Sequence, residues 1–96
     1  MGRRKYLVTY DVTDDKRRAR TFDILSDMGD HVQYSVFMCE LSARELLSLK
    51  ARITEEIAHA DDQVLIVDLG PADARAADVV VHIGRALAVR ERVNIV

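Results

Sequence analysis

Two amphipathic helices, each preceded by a short extended segment, constrain the fold of this 96-residue chain most. Residues 6–10 are β-branched, aromatic or leucine, which predicts a strand, and the polar residues 11–15 that follow predict a loop. From Lys16 the spacing of apolar residues predicts a helix, with Thr13 or Asp14 as its N-cap and Gly29 as its C-terminal cap. The apolar residues spaced three apart are Ala19, Phe22, Leu25 and Met28.

Residues 31–41 are also extended in character, but the alternation of their apolar side chains changes parity near Ser35. A parity shift indicates a bulge, a kink or a tight reversal, and the pattern leaves these three alternatives open. Ser42 and Glu45 then form a capping box, in which each side chain satisfies a backbone N–H of the other. The capping box predicts the start of a second helix, which the apolar spacing extends to about Ala58.

The C-terminal third predicts further strands. Residues 64–67 are a compact apolar run bounded by Asp61-Asp62 and Gly70-Pro71, which favours a strand in the middle of a sheet. Residues 79–83 predict another strand, and residues 73–78 a loop or helical turn. This order predicts an α+β fold, a ferredoxin-like sandwich of two helices against one antiparallel sheet.

Size and composition predict the class of protein. A chain of 96 residues builds one core, so we expect a single domain spanning residues 1–96. One cysteine, Cys39, cannot form an intramolecular disulfide, and the first residues lack the apolar core of a signal peptide, which favours the cytoplasm. No run approaches the roughly 18 apolar residues of a membrane span, so we exclude a membrane protein.

The apolar C-terminal tail indicates a dimer. An apolar strand at residues 91–96 would be an exposed edge unless another strand pairs with it. Packing on the sheet of a second subunit would remove that edge and enlarge a core that has few aromatic residues, which are 5% of the chain. We therefore expect a homodimer.

Basic residues are concentrated in the first fifth of the chain, although the net charge is −2. This distribution places any phosphate-binding surface in the N-terminal third. Cations at the start of a helix lower its stability unless Asp14 and Asp15, or the phosphates of a nucleic acid, compensate. The predicted nucleic-acid-binding residues are Lys16, Arg17, Arg18 and Arg20.

Asp11, at the end of the first strand, is the candidate catalytic and metal-binding residue. One carboxylate is too few for Mg²⁺ or Mn²⁺, but a twofold axis through the loop would let two Asp11 side chains share one ion. The alternative is a purely structural aspartate. The three histidines lack metal-ligand spacing. Tyr10 and Phe37 could stack on bases, although at strand positions such residues are more often core.

Two segments resemble the small CRISPR-associated adaptation proteins of the Cas2 family. They are residues 6–18, YLVTYDVTDDKRR, and residues 33–41, QYSVFMCEL. The resemblance implies a homodimer of ferredoxin-like subunits, with the C-terminal strand on the partner's sheet and two short strands around Ser35. It also implies that Asp11 binds a divalent metal at the dimer axis, with Tyr10, Arg18, Ser35 and Phe37 at the family's other recurrent site positions. Met38 stands where many members carry an acidic residue.

The resemblance leaves two functions open. In the first, paired Asp11 carboxylates hold Mg²⁺ for hydrolysis of RNA or double-stranded DNA, and the arginines of the first helix position the backbone. In the second, the dimer is a non-catalytic adaptor that holds duplex DNA and bridges integrase subunits during spacer acquisition. The sequence does not choose between them.

Overall fold

The fold was analysed in a computed structural model that describes residues 2–73 and 79–85. The strands and helices follow one another in the order expected of a ferredoxin-like chain. The elements are β1 (Arg4–Asp11), α1 (Asp15–Met28), β2 (Gly29–Gln33), β3 (Val36–Leu41), α2 (Ala43–Glu56) and β4 (Gln63–Pro71). Neither helix is both long and apolar enough to cross a membrane, among the residues described.

The four strands form one antiparallel sheet in the order β2-β3-β1-β4. Both helices pack on the same face of this sheet, where the core residues of β1 and β3 alternate with residues that face away. The α+β, ferredoxin-like prediction is therefore confirmed. The largest fully buried side chains are Phe37, Leu25, Leu49 and Val8.

The parity shift near Ser35 is a tight reversal between two short strands. Tyr34 and Ser35 form the turn, and Ser35 adopts a positive φ of 61°. A non-glycine residue in the left-handed region is uncommon, so the packing around the turn must hold it there. The backbone N–H of Tyr10 donates to the Ser35 carbonyl over 3.1 Å and ties the turn to the end of β1.

Both helices begin as the sequence predicts. Asp14 is the N-cap of α1, and its carboxylate accepts a 2.9 Å hydrogen bond from the Arg17 backbone N–H, which lowers the pKa of Asp14. Ser42 and Glu45 form the capping box of α2, with hydrogen bonds of 2.9 and 3.1 Å.

Gly29 has a different role from the one that its position predicts. It ends α1, but its φ of −163° is extended rather than left-handed, and it is also the first residue of β2. A Cβ here would lie 2.7 Å from the Met38 carbonyl oxygen and would also collide with the Cys39 sulfur. Glycine is therefore required because β2 and β3 approach closely at this point.

Two predictions about the strands after α2 were wrong. The apolar run in β4 suggested a central strand, but β4 lies at the edge of the sheet that the described residues form, with Leu65 51% and Val67 44% exposed. The face of β4 that points away from the helices is therefore apolar, and no described residue covers Leu65 and Val67 fully. Residues 80–83 are irregular rather than a strand. They lie beside the open face of the sheet, the face away from the helices, and line a cleft of about 340 Å³ there with Leu7, Val36 and Met38. Strand structure requires a neighbouring strand to pair with, and residues 80–83 are not paired in the described sheet.

The predicted terminal strand at residues 91–96 lies outside the described residues, as do residues 74–78 of the predicted loop. The homodimer that the tail indicates stays a prediction.

Candidate functional site

Asp11 is the last residue of β1 and lies on the open face of the sheet. Alternate residues of β1 are buried against the helices, and Asp11 belongs to the opposite set, with Leu7 and Thr9. Its Cα is opposite Gln63 at the start of β4, the strand that carries the exposed Leu65 and Val67 on the same face. The carboxylate is exposed and borders an apolar surface.

The residues on both sides of Asp11 are anchored. Tyr10 is buried and bound through its backbone to Ser35. Val12 is 3% exposed, and its carbonyl oxygen accepts a 3.0 Å hydrogen bond from Nη1 of Arg18. The backbone that presents Asp11 is therefore fixed on either side, which is the condition for a preorganised ligand or catalytic group.

Asp62 fixes the loop that follows Asp11. Its side chain is fully buried, and its carboxylate accepts hydrogen bonds from the backbone N–H groups of Thr13 (3.1 Å) and Ala58 (2.8 Å). Arg17 donates to both carboxylate oxygens, over 2.8 Å from Nε and 3.3 Å from Nη2. This pairing with Arg17 is the main cause that lowers the pKa of Asp62 far below its usual range. The carboxylate thus joins the β1–α1 loop, α1 and the start of β4.

The predicted basic residues differ in how strongly neighbouring carboxylates engage them. Arg17 is held by Asp62, and Arg20 donates from Nε to Glu56 over 2.5 Å. A phosphate contact by either arginine would compete with these pairs. Their assignment to nucleic-acid binding stays a prediction.

Arg18 and Lys16 are more available to a ligand. Arg18 pairs with Asp15, whose side chain is 90% exposed, and this pairing raises the pKa of Arg18. Lys16 is exposed and makes no ion pair with any described residue. Both side chains belong to the first turn of α1, five and seven residues after Asp11 and directly after the loop that Asp62 fixes.

Tyr10, Ser35 and Phe37 support the site from beneath. Burial raises the pKa of Tyr10, against the effect of a hydrogen bond with the Ser35 side chain, so the phenol is neutral near neutral pH. Phe37 is fully buried, and its ring centroid lies 6.3 Å from that of Tyr10. Neither aromatic ring is exposed enough to stack on a base, so their place is in the core.

The sequence did not indicate a cleft of about 440 Å³ that opens beside Tyr10, between α1 and the β2–β3 turn. Phe22, His31 and Tyr34 contribute exposed aromatic surface to it. These residues come from α1, β2 and the turn, and no motif links them along the chain. The sequence did not indicate the role of Asp62 either, because its hydrogen-bond partners are between four and 49 residues away along the chain.

The donor set suits a hard divalent cation but is incomplete in one chain. Asp11 offers exposed carboxylate oxygens, the ligand type that Mg²⁺ and Mn²⁺ prefer. No group of three His, Cys, Asp or Glu side chains that could hold a metal occurs within residues 2–73 and 79–85. A second copy of Asp11, water and substrate phosphate are the ligands that would complete the site.

Several proteins of known sequence or structure are similar to this chain. A CRISPR-associated endoribonuclease Cas2 of Geobacter sulfurreducens is 41% identical over 68 residues, which cover 71% of this chain and 72% of the relative. A CRISPR-associated endonuclease Cas2 of Thermus thermophilus is 36% identical over 80 residues, which cover 74% of this chain and 89% of that protein. The crystal structure of Streptococcus pyogenes Cas2 at pH 6.5 superposes with a TM-score of 0.70 at 28% identity, covering 83% of this chain and 99% of that one.

The profile of the family described as CRISPR associated protein Cas2 matches residues 4–76, which include all six helices and strands described above. The match therefore contains Asp11, its anchoring residues and the basic first turn of α1. By sequence and by fold, this chain belongs to the Cas2 family.

Proposed function

We propose that the chain is a nuclease subunit of CRISPR spacer acquisition that hydrolyses phosphodiester bonds of RNA or double-stranded DNA. The site would form between two subunits around their Asp11 carboxylates, with Mg²⁺ or Mn²⁺ as cofactor. The observation that carries the proposal is the position of Asp11, exposed between two anchored residues at the border of an apolar sheet face. The two relatives described above are named as an endoribonuclease and an endonuclease, which supports the reaction class.

The open face of the sheet supports a twofold arrangement. Leu65 and Val67 are exposed there, and Leu7 lies beside them. An apolar surface of this kind is typical of a surface that another subunit covers. Since Asp11 lies on the same face, packing two copies through it would bring their Asp11 side chains towards a common axis.

The roles of the chain's own groups follow from their contacts. The Asp11 oxygens would hold the cation, which supplies positive charge for the phosphodiester during hydrolysis. Lys16 and Arg18 would hold the phosphates of the strand on either side. The ion pair of Arg18 with the exposed Asp15 is screened by solvent and therefore weak, so a phosphate can replace Asp15 while the bond from Arg18 to the Val12 carbonyl remains. Arg17 would instead have to leave a buried carboxylate that it binds with two nitrogens.

The test is a cleavage assay on wild type and Asp11→Asn with single-stranded RNA and duplex DNA over several pH values, with Mg²⁺ or Mn²⁺. We expect Asp11→Asn to lower the cleavage rate by about 100-fold or more, because even residues that merely support a metal ligand typically contribute about 10–100-fold. Asp61→Asn is the matched control, an exposed acid in the loop before β4, and it should cleave like wild type.

The same assay decides against the nuclease if wild type does not cleave under any condition, or if Asp11→Asn cleaves equally well. The adaptor function, in which the dimer holds duplex DNA and bridges integrase subunits, is then the remaining interpretation. The adaptor function requires that the Asp11→Asn variant still binds duplex DNA as wild type does.

A further inference from the structure

The cleft between α1 and the β2–β3 turn has the size and walls of a ligand site. Its volume of about 440 Å³ falls within the roughly 300–1,000 Å³ of small-molecule pockets. Its walls are mainly apolar surface, formed by aromatic side chains together with polar or charged groups such as Asp15, Asp23 and Ser35. The lining residues that a bound ligand would contact include Arg18, Phe22, Asp23, His31, Tyr34 and Ser35.

The aromatic groups form a rigid corner with exposed surface. The His31 ring lies 4.9 Å from the buried Phe37 ring, measured between centroids. Phe22 packs edge-on against both, at 5.0 Å from His31 and 5.3 Å from Phe37. Phe22 remains 37% exposed, so the corner presents aromatic surface to solvent while Phe37 holds it from beneath.

Tyr34 is the exposed wall of the cleft. It is 83% exposed, although a tyrosine of this size usually buries more of its ring. The positive φ of Ser35 holds the turn in an uncommon conformation that presents Tyr34 beside the cleft. Tyr34 lines the same cleft as Tyr10 and Arg18.

The chemistry of these walls selects a flat, hydrogen-bonding ring. Arg18 is paired with Asp15 at the edge of the cleft, and the Asp23 carboxylate and the Ser35 hydroxyl can bond the amino and carbonyl groups on the edge of a base. Tyr10 and Arg18 line the cleft, and Arg18 also bonds the carbonyl oxygen of Val12, so the cleft opens next to the backbone that carries Asp11. The Asp11 side chain is on the opposite face of the sheet, so a strand that binds at both places must pass around the end of β1. Aromatic side chains next to basic residues are how proteins hold unpaired bases.

We infer that this cleft is a base-binding subsite, which holds one unpaired nucleobase of the strand at Asp11 against Tyr34, Phe22 and His31. Bases in an intact duplex are stacked on their neighbours and cannot enter the cleft unless they leave the helix. The subsite therefore favours single-stranded or locally unpaired nucleic acid. The inference rests on the nucleic-acid function proposed above, but it concerns binding and not cleavage.

The test measures binding of a short fluorescent single-stranded RNA, and of the matching RNA duplex, in the Asp11→Asn background so that cleavage cannot interfere. Adding Tyr34→Ala should weaken single-strand binding by about 5- to 150-fold, the range expected for one stacked base, and leave duplex binding unchanged. Tyr34→Phe should bind like the parent because it keeps the ring. Leu47→Ala, which removes an exposed apolar side chain on α2, is the control for general surface effects.

A second measurement locates the base. Single abasic positions are scanned along the RNA, and removal of the base at one position should weaken binding to the parent but have no further effect in Tyr34→Ala. The inference is overturned if Tyr34→Ala binds the single strand normally, if it weakens duplex binding equally, or if no abasic position matters. Because every readout is binding, a chain that proves unable to cleave still gives a clear result.

Discussion

Asp62 shows how one carboxylate can determine the geometry of a neighbouring site. It joins Thr13, Ala58 and Arg17, so the loop after Asp11, α1 and the segment before β4 meet on one buried group. The pair of Arg18 with the exposed Asp15 is weaker, because solvent screens it and the two side chains can separate at little cost. The two arginines are adjacent in sequence but differ in expected role: Arg17 is held in a buried pair, whereas Arg18 keeps its bond to the Val12 carbonyl and can exchange Asp15 for a phosphate.

The depressed pKa of Asp62 predicts an acid-sensitive fold. A folded pKa below the unfolded value of about 4 means that ionised Asp62 stabilises the fold above that pH, and that this contribution is lost as the pH falls further. We expect Asp62→Asn to be clearly less stable than wild type near pH 7, with the difference shrinking by about pH 3. Urea unfolding followed by circular dichroism at both pH values measures this.

Glu55→Gln is the matched control for that experiment, since Glu55 is an exposed acid on the outer surface of α2. Its unfolding midpoint should follow wild type at both pH values. A difference between Asp62→Asn and wild type that stays constant across this range would show that the stabilising partner of Arg17 is not the ionised Asp62.

At the scale of single residues, the sequence could identify Asp11 but not its surroundings. A strand ending in an aspartate is visible in the pattern, whereas the support from Asp62 depends on contacts across 45 residues and more. Tyr10 and Phe37 drew attention as aromatic residues, yet both are buried. The exposed ring of Tyr34 depends on the φ of Ser35, which no alternation pattern specifies.

The capping box of α2 is the element whose stability the sequence predicts most directly. Ser42 and Glu45 each satisfy a backbone N–H of the other. The hydrogen bond that the Ser42 backbone N–H donates to the Glu45 carboxylate lowers the pKa of Glu45. We expect Ser42→Ala to lower the free energy of unfolding by about 1 kcal/mol, the usual contribution of an N-cap. Ser48→Ala, at an exposed position inside the same helix, should have little effect or be slightly stabilising, since alanine favours helix.

Urea denaturation of both serine variants measures the contribution of the cap. Equal destabilisation by Ser42→Ala and Ser48→Ala would show that loss of a hydroxyl, rather than loss of the cap, is responsible.

The strands were harder to place than the helices because a strand's pattern depends on its neighbours. The apolar run in β4 indicated burial on both faces, which is usual for a central strand. In the described chain β4 is an edge strand, and the sequence pattern could not tell a neighbouring strand from a covering subunit. The same ambiguity applies to residues 80–83. Their apolar side chains indicated a strand, but the sequence could not show which strand would pair with it.

At the scale of the whole molecule, the open sheet face links assembly to chemistry. Asp11 lies on this face with Leu65 and Val67, so in the proposed dimer the contact that covers the apolar side chains would also bring the two carboxylates together. A monomer would offer a single Asp11, too few ligands from protein for a firmly held Mg²⁺. Dimer formation and metal-dependent cleavage should therefore be lost together.

We expect wild type to sediment as a dimer at micromolar concentration and Leu65→Asp/Val67→Asp to sediment as a folded monomer, because charges on the apolar face oppose its burial. Cleavage should fall in that variant as far as in Asp11→Asn, although its own Asp11 is intact. Leu47→Asp places a charge at an even more exposed leucine, on α2 and away from this face, and should remain dimeric and active. A wild-type monomer that cleaves, or a monomeric variant with full activity, would show that one Asp11 is sufficient and that the shared site is wrong.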